Sequence, residues 1–589
     1  MINIFGAHIS RNVADLLHQE LTGMPFFEDA NQKMHTSFGI NQFFDNQEEY
    51  IAFTDAIAHT ERFVSEPDRT EYGDFQTNIH LAKSVVHFLK SSRPAKPETV
   101  IEPTCGKGHF IIAALSEFKH IRKVVGIEIY KPYVWEAKCN IIDFYSSSPT
   151  DHKPEIEIIH HNVFDFDFSR LANTGSREIL ILGNPPWVTN AKLSSLDSGN
   201  LPPKSNFKRL NGFDAITGKG NFDIGEYITL MMLNAFQNTH GHIALLVKNS
   251  VIKNIVFDQY QHQYPISNLH KLTIDSKKEF GVSVEAALFF CTLNTTPAFT
   301  CQEFDFYQPE HQIKSFGWFN NKFVSDIDHY HDNHEIEGVC PLEWRQGIKH
   351  DLSHIMELER VNGHFVNGRQ EEVSLEEDLI YGILKSSDLK QSVISHSRKH
   401  TIVTQKKAGQ DTSHIRLLPK TFQYLQANKA YFNQRKSTIY LNKPDFSIFG
   451  IGDYSFAPYK VAISGLYKTC SFCLILPEGN KPLMVDDTCY LLGFDRLEFA
   501  AYTSILLNSD RTKHFLQSIT FPDAKRTFTK DVLMRIDLYK LSQYYTTEAI
   551  SREISNMNEQ LGLEISTIHW NSYIETLKPK QVSRQTTLF

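Results

Sequence analysis

The alternation of apolar and polar positions changes its rhythm twice along this chain. Residues 1–70 read as short helices and loops rich in Phe, Asn and charge, with no recurring pattern. From Val100 the texture becomes regular. The strand-like runs TVIEP (99–103) and VVGIEI (124–129) flank a glycine-bearing turn and an apolar helix, IIAALSEF (111–118). A helix-like stretch, YVWEAKCNIIDFY (133–145), precedes strands IEIIHH (156–161), EILILG (178–183) and GHIALLVKN (241–249). Strands alternating with helices predict an α/β fold with a doubly wound, mostly parallel sheet. NLHKLTI (268–274) and EAALFFCTL (285–293) are expected to close it as an antiparallel hairpin, ending the block near residue 300. Beyond that point, polar turns and aromatic clusters replace the βα alternation. A helix is expected in TEAISREISNMNEQLGLEI (547–565), ahead of a polar tail. The expected organisation is therefore a helical extension (1–70), a doubly wound α/β domain (71–300), an α+β domain (301–560) and a tail (561–589).

Composition narrows the class. The 589 residues are 41% hydrophobic and 22% charged, which excludes global disorder and collagen-like repeats. No run approaches the ~20 apolar residues of a membrane span, and the N-terminus lacks a signal-like basic-then-apolar segment. The eight cysteines are scattered through apolar contexts, as in the reduced thiols of a cytoplasmic protein. Cys470-x-x-Cys473 lacks further ligands at zinc-site spacing, so no metal site is expected. The net charge of −8, taken as a whole, argues against a nucleic-acid partner.

Two turns carry chemistry. In EPTCGKGHF (102–110), Gly106 and Gly108 stand between a strand and a helix, where glycine permits a sharp turn and close approach of a ligand to the backbone. Glu128 ends the next strand, where a carboxylate can accept both ribose hydroxyls. Glu102 is positioned to meet a cationic group. A nucleoside with a positively charged, non-phosphate tail fits these parts, and S-adenosylmethionine is such a ligand. The second turn is Asn184-Pro185-Pro186-Trp187, at the end of an apolar strand. The prolines stiffen the exit from the strand, leaving the Asn184 side chain and nearby carbonyls to accept the hydrogens of an exocyclic amine. Trp187 offers a flat surface for a heterocycle withdrawn from its stack.

The order of these motifs, E-P-T-C-G-K-G-H-F and then N-P-P-W, resembles the amino-methylating DNA methyltransferases. It is similar to the gamma class of TaqI-like adenine-N6 enzymes in particular. The resemblance implies a Rossmann-like class I S-adenosylmethionine-dependent methyltransferase domain followed by a target-recognition domain, acting on duplex DNA by base flipping. Residue by residue, it implies cofactor contacts from Thr77, Glu102, Cys105, Gly106, Gly108, Phe110, Glu128 and Asn184. Asn162 and Val163 occupy the adenine-binding register, with Asp165 as a substitute for Asn162. Where the family usually has proline after Thr77, this chain has Asn78. Catalysis falls to Asn184, Pro185, Pro186 and Trp187. Trp187, Phe222 (beside Asn221) and Phe280 would hold the target base. Asn at position 184, rather than Ser, favours adenine N6. Cytosine N4 is the alternative product, and a recognition subunit needing partners for activity is the alternative role.

The charge sum conceals a contrast. Residues 391–440 hold nine Lys and Arg against one Asp, so this segment carries +8 and the remainder −16. The segment is also rich in amides, which suits phosphate contact and base reading. Arg398, Lys399, Lys406, Lys407, Arg435 and Lys436 are the DNA-binding candidates within it. Arg345, Lys349, Lys460, Lys525 and Arg526 join them from segments resembling the family's recognition half. A restriction–modification or related defence system is implied, with a nuclease as a separate partner. The terminal Gln585-Thr586-Thr587-Leu588-Phe589 resembles the peptide that docks on bacterial sliding clamps.

Overall fold

A computed structural model describes residues 2–58, 75–93, 95–150, 152–172, 175, 177–189, 223–521 and 526–579. Two compact units divide the chain, 1–323 and 324–589.

The first unit is built on one large sheet. After a short hairpin of β1 (Ile2–Ile4) and β2 (Ala7–Ile9), its strands are β3 (Ile40–Asn41), β4 (Thr99–Glu102), β5 (Lys123–Glu128), β6 (Glu155–His160), β7 (Ile179–Gly183), β8 (Gly241–Lys248), β9 (Ile266–Ile274), β10 (Ala286–Leu293), β11 (Thr300–Asp305), β12 (Gln308–Phe319) and β13 (Lys322–Val324). Their spatial order is β13-β12-β11-β9-β10-β8-β7-β4-β5-β6-β3. The central seven, β6-β5-β4-β7-β8-β10-β9, run parallel except for β10, which is antiparallel to both neighbours. That order, 3-2-1-4-5-7-6 counted from β4, is the class I methyltransferase arrangement. β4 and β7 are buried at every position, which is why both read as unbroken apolar runs. The expected hairpin of β9 and β10 pairs Ala286 with Ile274 through to Leu293 with Ile266.

The expected boundary near residue 300 moves to 323. β11 pairs parallel to β9 and antiparallel to β12, so three further strands extend the same sheet. Residues 1–58 are no detached extension either. Their helices α1 (Arg11–Leu21), α2 (Phe27–Phe38) and α3 (Gln47–Ala58) lead into or follow β3, which pairs with β6. Phe53 stacks on Trp135 at 4.6 Å, and the buried Lys138 ammonium donates to the Gln42 and Phe43 carbonyls at 3.0 and 2.9 Å. Lys138 and Trp135 belong to the helix Lys131–Ser147, so the N-terminal segment completes the core beside it.

Among its described residues the second unit has two sheets. One runs, in spatial order, Glu372–Val373, His364–Asn367, Glu357–Val361, Lys399–Ile402, Ile380–Leu384 and Met484–Val485. The other runs Arg345–Gln346, Cys489–Phe494, Tyr459–Ser464, Phe472–Ile475 and Val393–Ile394. The predicted terminal helix spans Thr547–Leu561 and stops at Gly562, whose φ of 63° forms a left-handed cap. The expected tail is partly structured. A helix over Trp570–Leu577 buries Trp570 and Tyr573 against Tyr502. All eight cysteines are buried, Cys470 and Cys473 among them. No helix among the described residues is long and apolar enough to cross a membrane.

Candidate functional site

A cavity of about 270 Å³ opens beyond the carboxyl ends of β4, β5, β6 and β7. This is the point where the strand order reverses, the place an open α/β sheet leaves for a ligand.

The glycine turn forms one wall. Gly106 has φ +48° and Gly108 φ +78°, conformations that side chains oppose. A Cβ on Gly106 would lie 2.6 Å from Gln76 Oε1, and one on Gly108 would press on Ala137 at 3.2 Å. The turn is pinned from below, because the Cys105 amide donates to the Ile127 carbonyl at 2.9 Å. Burial pushes the Cys105 thiol well up, so it stays protonated. Phe110 is buried at the start of the helix His109–Glu117.

Glu128 accepts the amides of Gly106 at 2.9 Å and Tyr130 at 2.7 Å. Glu102 is less well supported, with a single backbone hydrogen bond, from Ile111. Its Oε2 is buried with no partner, and burial and then the neighbouring Glu128 push its carboxyl well above the usual range. Two buried carboxylates facing one cavity make it a place for a cation.

The segment Phe75–Asn78 supplies another wall. Thr77 is buried and lines the cavity. Asn78 caps the helix Ile79–Ser92, its side chain accepting the His80 amide. Its φ of −63° is the value a proline would impose, so Asn78 keeps the backbone course that the usual proline would set. Asn162 and Val163 line the cavity, while Asp165 is exposed and lies outside its lining. Asn162 Oδ1 accepts the Phe164 amide at 3.0 Å, which fixes the turn leaving β6.

The turn after β7 brings Asn184 to the same cavity. Asn184 Nδ2 donates to the Phe75 carbonyl at 2.9 Å. A carbonyl can only accept, so this bond fixes the orientation of the amide and leaves Oδ1 as the other atom. That oxygen is buried and unpartnered. Pro185 is buried and Pro186 lines the cavity. Gly183 lets the turn form, since a Cβ there would lie 3.2 Å from Glu102 Cγ.

Trp187 is not the open surface expected from its sequence position. It is 5% exposed, and its indole N–H donates to the Leu246 carbonyl at 3.1 Å. Its ring meets Phe280 edge-on at 4.9 Å and Phe75 at 5.5 Å. Trp187 and Phe280 are thus brought together, but they touch each other and leave no slot between them. Phe222 and Asn221 lie outside the described residues.

Sequence reasoning missed several groups here. Asp223 caps the helix Ile224–Phe236 and pairs with Lys248 at 2.5 Å, while the Ile224 amide donates to the Val188 carbonyl. Burial raises the Asp223 carboxyl despite the lysine. This partly buried pair ties the end of the Asn184–Trp187 turn to β8. Gln76, His109, Tyr130 and His161 also line the cavity. Of these, His109 stood in the glycine motif and Gln76 in the segment that carries Thr77, but neither was given a role.

The DNA candidates of the second unit fall into groups. Lys460 is buried and donates to the Ala457 carbonyl at 2.6 Å, and Arg435 donates to the Ser447 carbonyl at 2.7 Å with its guanidinium 3.5 Å from the Tyr440 ring centre. Both are corrected from phosphate ligands to internal ties, because their charged ends are already engaged inside the unit. Arg345 pairs with Glu343, Lys349 with Asp351 at 3.3 Å, Arg398 with Asp388, Lys399 with Glu359 at 3.2 Å and Lys407 with Asp453 at 3.5 Å. Arg526 donates to the Asp487 carbonyl at 3.0 Å. Lys406 and Lys436 are exposed, with no acidic partner among the described residues. Lys525 and the segment Gln585–Phe589 lie outside the described residues. Among those described, no cluster of three or more His, Cys, Asp or Glu could hold a metal ion.

The strand order and a cavity at its switch point, walled by a glycine turn, define a class I methyltransferase fold. No family model matches the chain. It is, however, 39% identical over 483 residues to the type II methyltransferase M.NspV of Nostoc sp., a match covering 81% of this chain and 98% of that protein. The chain belongs to the type II methyltransferase family. Solved structures similar to it include the type IIL restriction–modification enzyme MmeI in complex with DNA, at 12% identity and a TM-score of 0.48 over 86% of this chain and 72% of that one. Another is a modification subunit of a putative type I restriction enzyme from Vibrio vulnificus, at 12% identity and a TM-score of 0.29 over 46% and 60% of the two chains. The family rests on the sequence relative, and the fold on the strand order itself.

Proposed function

We propose that this protein transfers a methyl group from S-adenosylmethionine to N6 of adenine in duplex DNA, as the modification enzyme of a cytoplasmic restriction–modification or related defence system. The observation that carries this reading is the buried, unpartnered Oδ1 of Asn184, held in one orientation by the Phe75 carbonyl. A fixed acceptor without a donor suits an amine that arrives with the substrate.

The residues present fit the cofactor. Glu102 Oε2 and Thr104 Oγ1 are further buried acceptors without partners on the same cavity, and the Glu102–Glu128 repulsion calls for a positive charge. When bound, S-adenosylmethionine supplies an electrophilic methyl on a cationic sulfur. Glu128 would take the ribose hydroxyls, Thr77 the amino-acid tail, and Asn162 and Val163 the adenine. Gly106, Gly108, Cys105 and Phe110 shape the turn beneath it.

Asn184 Oδ1 and the Pro185 carbonyl would each accept one hydrogen of the target amine. That holds the nitrogen lone pair toward the methyl carbon and stabilises the positive charge developing on nitrogen. Catalysis then consists of positioning and dipoles, with no covalent enzyme intermediate, which agrees with the protonated, buried Cys105. The flipped base needs space beside Trp187, and Phe280, on the short segment between β9 and β10, is the ring whose displacement would open it. The second unit would grip DNA through exposed lysines and arginines, with a separate nuclease and the sliding clamp as further partners. Mass spectrometry of nucleosides from DNA treated with the purified protein tests the reading. N6-methyladenine is expected, and N4-methylcytosine or no modification would refute the assignment.

A further inference from the structure

His109 opens the helix His109–Glu117, placed there by the left-handed cap at Gly108. Its ring turns back to the segment Phe75–Asn78, where Nδ1 lies 2.6 Å from the Thr77 carbonyl oxygen. A carbonyl oxygen offers only lone pairs, so Nδ1 carries the proton. In a neutral ring Nε2 is then an acceptor and nothing else. No described residue bonds to that nitrogen, and the ring lines the cofactor cavity.

The chemistry of that nitrogen selects its ligand. A carboxylate brings lone pairs against a lone pair. An ammonium brings both a proton to donate and a charge that the carboxylates of Glu102 and Glu128, on the same cavity, would balance. We propose that His109 Nε2 accepts a hydrogen bond from the α-ammonium of the cofactor's amino-acid tail, and that the Thr77 carbonyl holds the ring in the tautomer this requires. The inference rests on the S-adenosylmethionine reading above and adds a residue and a role to it. It also gives the backbone of Thr77 a function apart from its side chain.

The same geometry sets a pH dependence. Burial and the nearby Lys107 hold His109 below its ordinary pKa of 6.5, against the raising effect of the Thr77 bond. Glu102, Glu128, Lys107 and His161 are the other titratable groups lining this cavity beside Tyr130 and Cys105. Near neutral pH the ring is therefore uncharged. In acid, protonation removes the acceptor and sets a cation against the ligand's cation, so affinity for an ammonium-bearing ligand falls as pH drops through the His109 pKa.

The test uses the full chain, titrated calorimetrically with S-adenosylhomocysteine and with its analogue lacking the α-amino group. A hydrogen bond to a charged group is worth about tenfold to a hundredfold. The native protein is expected to prefer the amine-bearing ligand by at least about tenfold, and His109→Phe to bind the two within about threefold of each other. His109→Gln, which presents an acceptor that does not titrate, should keep part of the preference and lose its acid dependence. Nitrogen-15 spectra of the native protein read the ring directly, so the test survives a variant that fails to fold. The proposal predicts an unprotonated Nε2 whose resonance moves on adding S-adenosylhomocysteine. Equal affinity of the native protein for both ligands, an unchanged preference in a folded His109→Phe, or a proton on Nε2 would overturn it. Failure of the native protein to bind either S-adenosylmethionine or S-adenosylhomocysteine would instead overturn the cofactor reading beneath it.

Discussion

Replacing Asn184 by alanine tests the centre of the proposed chemistry. The substitution removes two things the structure separates. One is the Nδ2 bond to the Phe75 carbonyl at 2.9 Å, and the other is the unpartnered Oδ1. Loss of the first leaves a carbonyl short of a partner, a cost of about 1–3 kcal/mol in folding stability, visible as a few degrees of Tm. The second matters only while the amine is becoming positive. A preorganised dipole at developing charge contributes about 2.7–4 kcal/mol, so methyl transfer should slow by about a hundredfold to a thousandfold. Losing the paired action of the Pro185 carbonyl, which needs the base seated by Asn184, would add to this. Single-turnover transfer of a labelled methyl group measures the chemical step, and calorimetric titration with S-adenosylhomocysteine measures the cofactor site. Affinity for that ligand should stay within about threefold, because Glu128 and the glycine turn are untouched. Transfer within tenfold of the native rate would refute the role of Asn184, and equal loss of binding and rate would recast it as a structural residue.

Three more outcomes are expected from other parts of the molecule. Glu102, pushed upward by burial and by Glu128, should release a proton when a cationic cofactor binds. Calorimetry in buffers of differing ionisation enthalpy should detect that release, and Glu102→Gln should abolish it. Lys460 has its pKa lowered by burial to about 7, so the folded state binds fewer protons than the unfolded one between about 7 and the ordinary lysine value of 10.5. That penalty is full below the folded pKa and fades as pH rises. Lys460→Met removes that penalty but also the donor to the Ala457 carbonyl, a loss that does not depend on pH, so the change in Tm should be more favourable at pH 7 than at pH 10, and an effect independent of pH would contradict the assignment. Charge removal at Lys406 or Lys436 should weaken binding to any DNA sequence and reduce the salt slope by about one per lysine, measured by fluorescence anisotropy across salt concentrations. A change in sequence preference without a change in slope would exclude phosphate contact.

Much of the site was legible because local chemistry wrote it. A glycine pair between strand and helix, an acid at the next strand end and a double proline after an apolar strand each depend on neighbours within a few residues. Those constraints survive in a linear reading, and the structure brings Glu102, Gly106, Glu128, Asn162 and Asn184 to one cavity. The Asp223–Lys248 pair was not legible, since the two residues lie 25 positions apart and nothing in the local sequence links Asp223, beside Asn221 and Phe222, to a lysine at the end of β8. The openness of Trp187 was misjudged for a related reason. Its burial is decided by Phe280 and Phe75, rings that come from distant segments. The domain boundary failed at 300 because β11 has the alternating pattern of a half-exposed strand, with nothing in it to say that its partner is the edge of β9. Pairing partners are long-range information.

Charge shows the same division between local and distant. The +8 of residues 391–440 reads as a bare basic surface, yet Arg398, Lys399, Lys407 and Lys429 meet Asp388, Glu359, Asp453 and Asp445, all outside that segment. These pairs do not argue against the proposed DNA contact. Each has one partner or both well exposed, and surface pairs of this kind contribute about 0–1 kcal/mol, less than a phosphate contact returns through counterion release. They can exchange an acid for a phosphate at small cost, and the displaced acids then oppose non-specific association. Arg435 and Lys460 are held differently, since withdrawing either would leave a backbone carbonyl inside the unit, Ser447 or Ala457, without that donor. On the proposed DNA-gripping role, the basic residues of this unit therefore divide by what holds them, with Lys406 and Lys436 exposed without an acidic partner among the described residues, the ion-paired group able to join by exchange, and Arg435 and Lys460 engaged within the unit.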